Sequence, residues 1–238
     1  MKTTGIVAEY NPFHNGHKAL VDRCRENEAT HIVAAISANF VQRGSVAIMD
    51  KRARAAAAIK GGVDLVVELP VPFAVATAEV FARGGVSVLA GLGCVDALSF
   101  GAECEDLSLL QSAAKAVTDP KVDELIKTEL SGGVSYPTAR AYAVRTVYGP
   151  DIADVLEGPN NILAVEYLKA ILRSRSRMQP YPVPRTGCGY HDLMIAGKSD
   201  ALSERVSPSS AAGIRAALSE GIDVRDQMPD ASYELLSE

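Results

Sequence analysis

The sequence has no tryptophan, and its 238 residues include only four cysteines and four histidines. Cys24, Cys94, Cys104 and Cys188 form no CxxC pair and no metal-ligand spacing with His14, His17, His31 or His191. A structural zinc site is therefore not expected, and reduced thiols in a cytoplasmic setting are. No apolar run approaches the roughly 20 residues needed to cross a bilayer. The N-terminus lacks the secretory order of basic start, apolar stretch and small-residue cleavage site, so neither membrane insertion nor export is expected. A broad basic surface is missing too. The net charge is −5, and residues 219–238 supply all of it through Glu220, Asp223, Asp226, Asp230, Glu234 and Glu238 against Arg225. Residues 1–218 are formally neutral, which argues against the basic face that dominates nucleic-acid affinity. One basic cluster stands out, Lys169, Arg173, Arg175 and Arg177. It reads either as a solvated helix end or as a contact to a phosphate backbone.

What is present is ordinary globular composition, 47% hydrophobic and 22% charged, enough for a sizeable core. TGIVAEY (3–9), HIVAAIS (31–37), VDLVVEL (63–69) and VDALSF (95–100) read as buried strands. Helices are expected between them at about 15–26, with Ala19, Leu20 and Cys24 on one side, at about 50–60, and at about 74–91. This alternation implies βαβ units: an α/β fold with a parallel sheet covered on both faces. Ligands in such sheets bind outside the carboxyl ends of the strands. Segments 10–17, 38–44, 70–79 and 101–103 fall there. Residues 105–175 read mainly as helices, with breaks at Pro120, Gly132–Gly133 and Gly149–Pro150. PYPVPRTGCGYH (180–191) is expected to be a short strand leading into a Gly-rich loop. SPSSAAGIRAALSEG (207–221) is expected to be a helix with Ser207 as N-cap and Pro208 at its first position.

The sharpest chemical signal is Asn11-Pro12-Phe13-His14-Asn15-Gly16-His17, directly after the first strand. Gly16 has no Cβ and lets a ligand approach the backbone. A helix starting there points free N–H groups and the positive dipole end at an anion. Two imidazoles beside those groups can stabilise charge on a transferring phosphate. A capped turn with two surface histidines is the plain structural alternative. Gln42-Arg43-Gly44 reads as a phosphate or RNA loop, or as a simple turn with Gly44 at positive φ. Lys51, Arg52 and Arg54 read as solvated helix charges. Asp64, Glu68, Glu79 and Glu103 are carboxylates that could orient a histidine or a metal ion. Asn160 and Asn161 follow Pro159 at a helix start, where one of them is expected to act as N-cap.

His14-Asn15-Gly16-His17 matches the HxGH signature of the nucleotidyltransferases, and GIVAEYNPFHNGH resembles the N-terminus of the bacterial tRNA(Met) cytidine acetate ligases. Similar stretches follow in the same order: NFVQRG (39–44), DKRARAAAAIKGGVDLVVELP (50–70), AEVFARGGV (78–86), LSFGAE (98–103), PNNILAVEYLKA (159–170), VPRTGCGYHD (183–192) and SSAAGIR (209–215). The resemblance implies a Rossmann-like parallel sheet of the HxGH nucleotidyltransferase type with an added helical region. On that view 1–104 form the nucleotide-binding core, 105–178 the helical region, 179–220 a return to the core, and 221–238 an acidic tail at the edge of a further C-terminal region. Members of the family continue into such a region, which is expected to help hold tRNA. The implied reaction joins acetate to ATP, with Mg²⁺, as acetyl-adenylate and releases pyrophosphate. The acetyl group then goes to N4 of the wobble cytidine of elongator tRNA(Met).

The same resemblance implies an ATP-binding stretch of Ile6, Val7, Ala8, Glu9, Tyr10, Asn11, Pro12, Phe13, Asn15 and Gly16. His14 and His17 would be catalytic. Gly101 would lie against the nucleotide, Asn160 or Asn161 would hold it by hydrogen bonds, and Arg185 would pair with a phosphate or the carboxylate. Ser209 and Ser210 would face the triphosphate, and Arg215 would neutralise the leaving pyrophosphate. Ala212 stands where the family pattern has a threonine. HxGH alone also admits an adenylyltransferase acting on a phosphorylated metabolite in cofactor synthesis. It admits, too, a non-catalytic nucleotide- or RNA-binding module.

Overall fold

The computed structural model describes residues 1–184 and 210–237. Four of its strands follow the apolar runs closely: β1 (Thr3–Ala8), β2 (His31–Ser37), β3 (Leu65–Leu69) and β4 (Ala97–Ala102). A fifth, β5 (Gln179–Pro184), returns late in the chain. All neighbours pair parallel, in the order β3-β2-β1-β4-β5. The order reverses at β1, so β1 and β4 diverge toward helices on opposite sides and leave a crevice at their carboxyl ends. β3 starts later than its apolar run because Val63 N–H is spent on Ala58 O, closing the helix before it.

Helices cover both faces. α1 (Asn15–Glu26) and α2 (Lys51–Lys60) enclose a core of Ile6, Ile32, Ala34 and Ile36 with Phe13 and Val21. The larger core lies on the other face, where Val7, Val33, Leu98 and Phe100 meet α4 (Ala78–Gly91) and α9 (Pro159–Ser174). The helix expected over 74–91 is two pieces, a single turn α3 (Val71–Ala74) and then α4. Thr77 breaks them by taking an extended conformation as the N-cap of α4. Among the described residues, no helix is long and apolar enough to cross a membrane.

Residues 105–175 are mainly helical, as their pattern predicts: α5 (Leu107–Ala116), α6 (Pro120–Ser131), α7 (Tyr136–Tyr148), α8 (Pro150–Val155) and α9. The prolines at 120, 150 and 159 are first helical residues, where a missing N–H costs nothing. Two more helices close the described chain, α10 (Ala211–Ser219) and α11 (Asp230–Ser237). Ser207 and Pro208 lie outside the described residues, and the N-cap is Ser210, whose side chain accepts from Gly213 N–H at 3.1 Å. The acidic stretch after α10 is folded. Ile214, Ala217, Val224 and Met228 form a small buried cluster that ties it to α10.

Candidate active site

The turn from β1 into α1 is built by its own side chains. His14 is the N-cap, and its Nδ1 accepts from Gly16 N–H at 3.0 Å. His17 Nδ1 accepts in return from His14 N–H at 3.3 Å, completing a capping box made of two imidazoles. The rings lie against each other at a tilt of 32°, with centroids 3.8 Å apart. An Nδ1 that accepts a backbone N–H carries no proton, so each neutral ring holds its proton on Nε2. Tyr10 and Phe13 pack edge-on beneath, and Tyr10 also meets His17 edge-on at 4.9 Å. Burial pushes the Tyr10 hydroxyl well above the ordinary tyrosine range. The turn thus holds fixed imidazoles on a rigid apolar base. The plain reading of two surface histidines fails for His14, which is 2% exposed.

A cavity of about 350 Å³ opens beside this turn, in the range typical of small-molecule sites. One wall is the end of β1, from Ile6 to Asn11, with Gly16 and His17. Gly101 at the end of β4, Asn160 of α9 and Ala211 of α10 complete the rim. Phe81, Phe100, Leu163 and Tyr167 supply an apolar wall. Tyr167 is held there by Phe100 at 5.6 Å and by its hydroxyl, which donates to Val7 O at 3.4 Å.

Of the predicted residues, Ile6 to Asn11, Gly16, His17, Gly101 and Asn160 share the cleft. Pro12 and Phe13 are buried, and His14 lies against His17. Asn15 is exposed, with its amide donating to Asp226 O at 2.9 Å. Arg215 donates to Asn11 O at 2.8 Å, and so reaches the same turn. Ser210 caps α10 next to Ala211 on the rim. Arg185 and Ser209 lie outside the described residues.

The two asparagines part company. Asn161 is buried, and its Oδ1 accepts from the N–H groups of Glu103 and Cys104 at 2.9 and 2.8 Å, pinning the loop after β4. Asn160 lines the cleft. Neither is an N-cap, because that position is Gly158 and a carboxylate reaches across instead. Glu103 accepts from Asn161 N–H at 2.7 Å, from Asn160 N–H at 3.1 Å, and from the Asn160 amide at 2.6 Å. A Cβ at Gly158 would lie 2.6 Å from Glu103 Oε2, so glycine is what lets the carboxylate in. The motif's Asn-Asn pair hid this arrangement, since the cap lies 57 residues upstream of Asn160.

Several charges have different roles from those expected. Arg54 was read as a solvated helix charge; it is 0% exposed and donates to Glu9 O, Ala38 O and Met49 O. It thereby ties the end of β1 to the loop after β2. Burial lowers its pKa. Lys51 is paired with Glu68 at 2.5 Å. Asp64 accepts from Ile32 N–H and Arg25, both at 2.6 Å. Of the basic cluster, Lys169 is buried and pairs with Glu166, and Arg173 at the end of α9 meets Glu79, both at 2.8 Å, so the solvated reading fails for Lys169. Gln42 lines the cleft, and its N–H is held by Glu9 Oε1 at 2.9 Å. Gly44 has φ 81°, as the turn reading of that loop expects.

Comparison with known proteins places this geometry in a lineage. The tRNA(Met) cytidine acetate ligases of Syntrophotalea carbinolica and Caldicellulosiruptor saccharolyticus are each 41% identical over 241 residues. Those matches cover 100% of this chain and 55% and 57% of the relatives. A crystal structure of Thermotoga maritima TmcAL bound with alpha-thio ATP matches with a TM-score of 0.87 and 36% identity, over 100% of this chain and 55% of that one. The chain therefore spans about half the length of the curated relatives it matches. A sequence model of the HIGH Nucleotidyl Transferase family matches residues 1–238, and the chain belongs to that family.

Proposed function

We propose that this chain binds ATP in the cleft beside the histidine turn, joins acetate to its α-phosphate, and passes the acetyl group to N4 of the wobble cytidine of elongator tRNA(Met). The observation that carries the reading is the pair of imidazoles clipped to the N-terminus of α1 beside a cleft at the β1/β4 crossover. Support comes from the relatives' names and from the solved relative that holds an ATP analogue.

In this reading the adenosine lies over Gly101 against Phe100 and Tyr167, with Asn160 at its polar edge. The phosphates run toward Gly16 and His17. There the positive end of the α1 dipole and the imidazole Nε2–H groups meet the charge that develops during transfer. An acetate oxygen attacks the α-phosphorus, the bond from that phosphorus to the bridging oxygen breaks, and pyrophosphate leaves. The N4 amine then attacks the acetyl carbon, AMP departs with the carboxyl oxygen, and the amine loses one proton. The work of the residues is alignment and charge stabilisation. Arg215 and Ser210 stand where the leaving pyrophosphate would emerge, and Arg185 and Ser209 belong to the same proposed site.

Mg²⁺ fits as a companion of the phosphates. Among the described residues, no three or more of His, Cys, Asp or Glu come together, and Glu9 is the one carboxylate lining the cleft. One carboxylate plus phosphate oxygens is a usual Mg²⁺ environment. Bound there, the ion would neutralise phosphate charge. Action on tRNA implies a cytoplasmic setting.

The test is exchange of labelled pyrophosphate into ATP. Exchange is expected to depend on acetate and to fall at least about 100-fold in His17→Ala, the scale of losing a transition-state donor. Absence of exchange with every small carboxylic acid would defeat the reading. Product formation with a phosphorylated metabolite instead would make the chain an adenylyltransferase. Tight ATP binding without turnover, with acetate and tRNA present, would make it a binding module.

A further inference from the structure

The histidine turn is gripped from the far end of the chain at three points. Arg215 donates to Asn11 O at 2.8 Å, Ser232 Oγ donates to Phe13 O at 2.7 Å, and the Asn15 amide donates to Asp226 O at 2.9 Å. These anchor points alternate along the turn and bracket His14 on both sides. Ser232 is 1% exposed, so water cannot replace its hydroxyl at Phe13 O. The piece that carries the three contacts is held by its own apolar cluster of Ile214, Ala217, Val224 and Met228. Leu235 of α11 packs against the core that contains Tyr10 and Phe13.

The bond from Ser232 has a specific consequence. Phe13 C=O and His14 N–H belong to one planar peptide unit. Ser232 fixes the oxygen side of that unit, and the nitrogen side donates to His17 Nδ1 at 3.3 Å. A hydroxyl on one edge of a rigid plane therefore sets the donor that orients the imidazole on the other. Hydrogen bonds linked through one peptide also polarise each other, which strengthens the second when the first is made.

We infer that residues 210–237 act as a strap that positions the two imidazoles, with Ser232 as a positioning residue working through the Phe13–His14 peptide. The inference rests on the cleft being the site of acetate activation, and it adds an element that the motif lacks. Ser232 acts on the backbone of the turn through Phe13 O, and nothing in HxGH points to it.

The test compares Ser232→Ala, Ser232→Thr, Asn15→Ala and a packing control, Leu236→Ala, which trims the strap's own cluster. Two readouts are needed: steady-state kinetics of acetate-dependent pyrophosphate exchange, and long-range ¹H–¹⁵N spectra of the imidazoles, tractable with four histidines in the chain. Ser232→Ala is expected to lower kcat about tenfold with KM for ATP nearly unchanged, since reacting groups shift slightly while the adenosine wall stays intact. The His17 ring signals should move from the Nε2–H pattern toward a tautomer mixture, and Ser232→Thr should restore both. Asn15→Ala, at an exposed position, should move the ring signals the same way by less. Leu236→Ala should lower Tm and leave kcat and ring signals as in the wild type. Ring signals unchanged in both Ser232→Ala and Asn15→Ala would overturn the strap, as would a Tm loss in Ser232→Ala with kcat intact. If the wild-type chain shows no acetate-dependent exchange, the proposed reaction fails, and the spectra still decide whether the strap orients the rings.

Discussion

Replacing Arg54 by methionine removes a guanidinium that joins three segments at the ligand edge of the sheet. Its three donors serve Glu9 O at the end of β1, and Ala38 O and Met49 O at either end of the loop after β2. Each charged bond is worth roughly 1.5–3 kcal/mol, and the three carbonyls left behind are costly where water cannot reach them. Against this, methionine escapes the desolvation that already lowers the Arg54 pKa. The expected net loss is about 3–5 kcal/mol, the scale for deleting one partner of a buried charged contact. For a domain of this size that is a fall in Tm of roughly 6–20 °C. Urea unfolding followed by circular dichroism measures it. Arg54→Lys keeps the charge but cannot span three carbonyls, so it should recover less than half. A methionine variant within about 1 kcal/mol of the wild type, the worth of one ordinary hydrogen bond, would refute the clamp.

Gly158→Ala should drive the Glu103 carboxylate off the start of α9, and Glu103→Gln should weaken the same cap by about 1 kcal/mol; calorimetric titration with ATP should show weaker binding in both, because Asn160 loses its anchor. Asp64→Asn tests a pH dependence. Partial burial would raise this carboxyl, but Ile32 N–H and Arg25 outweigh that and hold it below the usual carboxylate range. A depressed carboxylate stabilises the fold above its unfolded pKa, and that contribution disappears as pH falls through the folded value. The Tm gap between wild type and Asp64→Asn should thus be full at neutral pH and close under acid conditions. Thiol titration should label exposed Cys94 at once and leave Cys24 until unfolding, since Cys24 is buried and burial pushes its thiol up.

Much of the fold could be read from pattern because the strands are continuous apolar runs and the helices begin at proline or an N-cap. The motif Asn11 to His17 located the turn, since strand, turn and helix follow from spacing alone. What pattern missed depends on partners far away in the chain. Arg54 sits in an Ala-rich helix and looks solvated until two loops fold over it. Glu103 caps a helix that begins 56 residues later, a distance at which composition says nothing. The N-cap of α10 is Ser210 rather than the Ser207 that the Ser-Pro pair suggests, because the Ser210 hydroxyl accepts from Gly213 N–H. Ser232 lies in an acidic stretch with weak periodicity, and its burial arises from α11 packing on α2 and the turn.

The most direct measurement is a crystal structure of the chain with a non-hydrolysable ATP analogue. Adenosine should lie between Gly101 and Tyr167, and the α-phosphate should rest beside Gly16 with His17 Nε2 within hydrogen-bond distance. A triphosphate seated elsewhere, for instance against Lys51 and Arg52 at the far edge of the sheet, would contradict the assignment of the histidine turn.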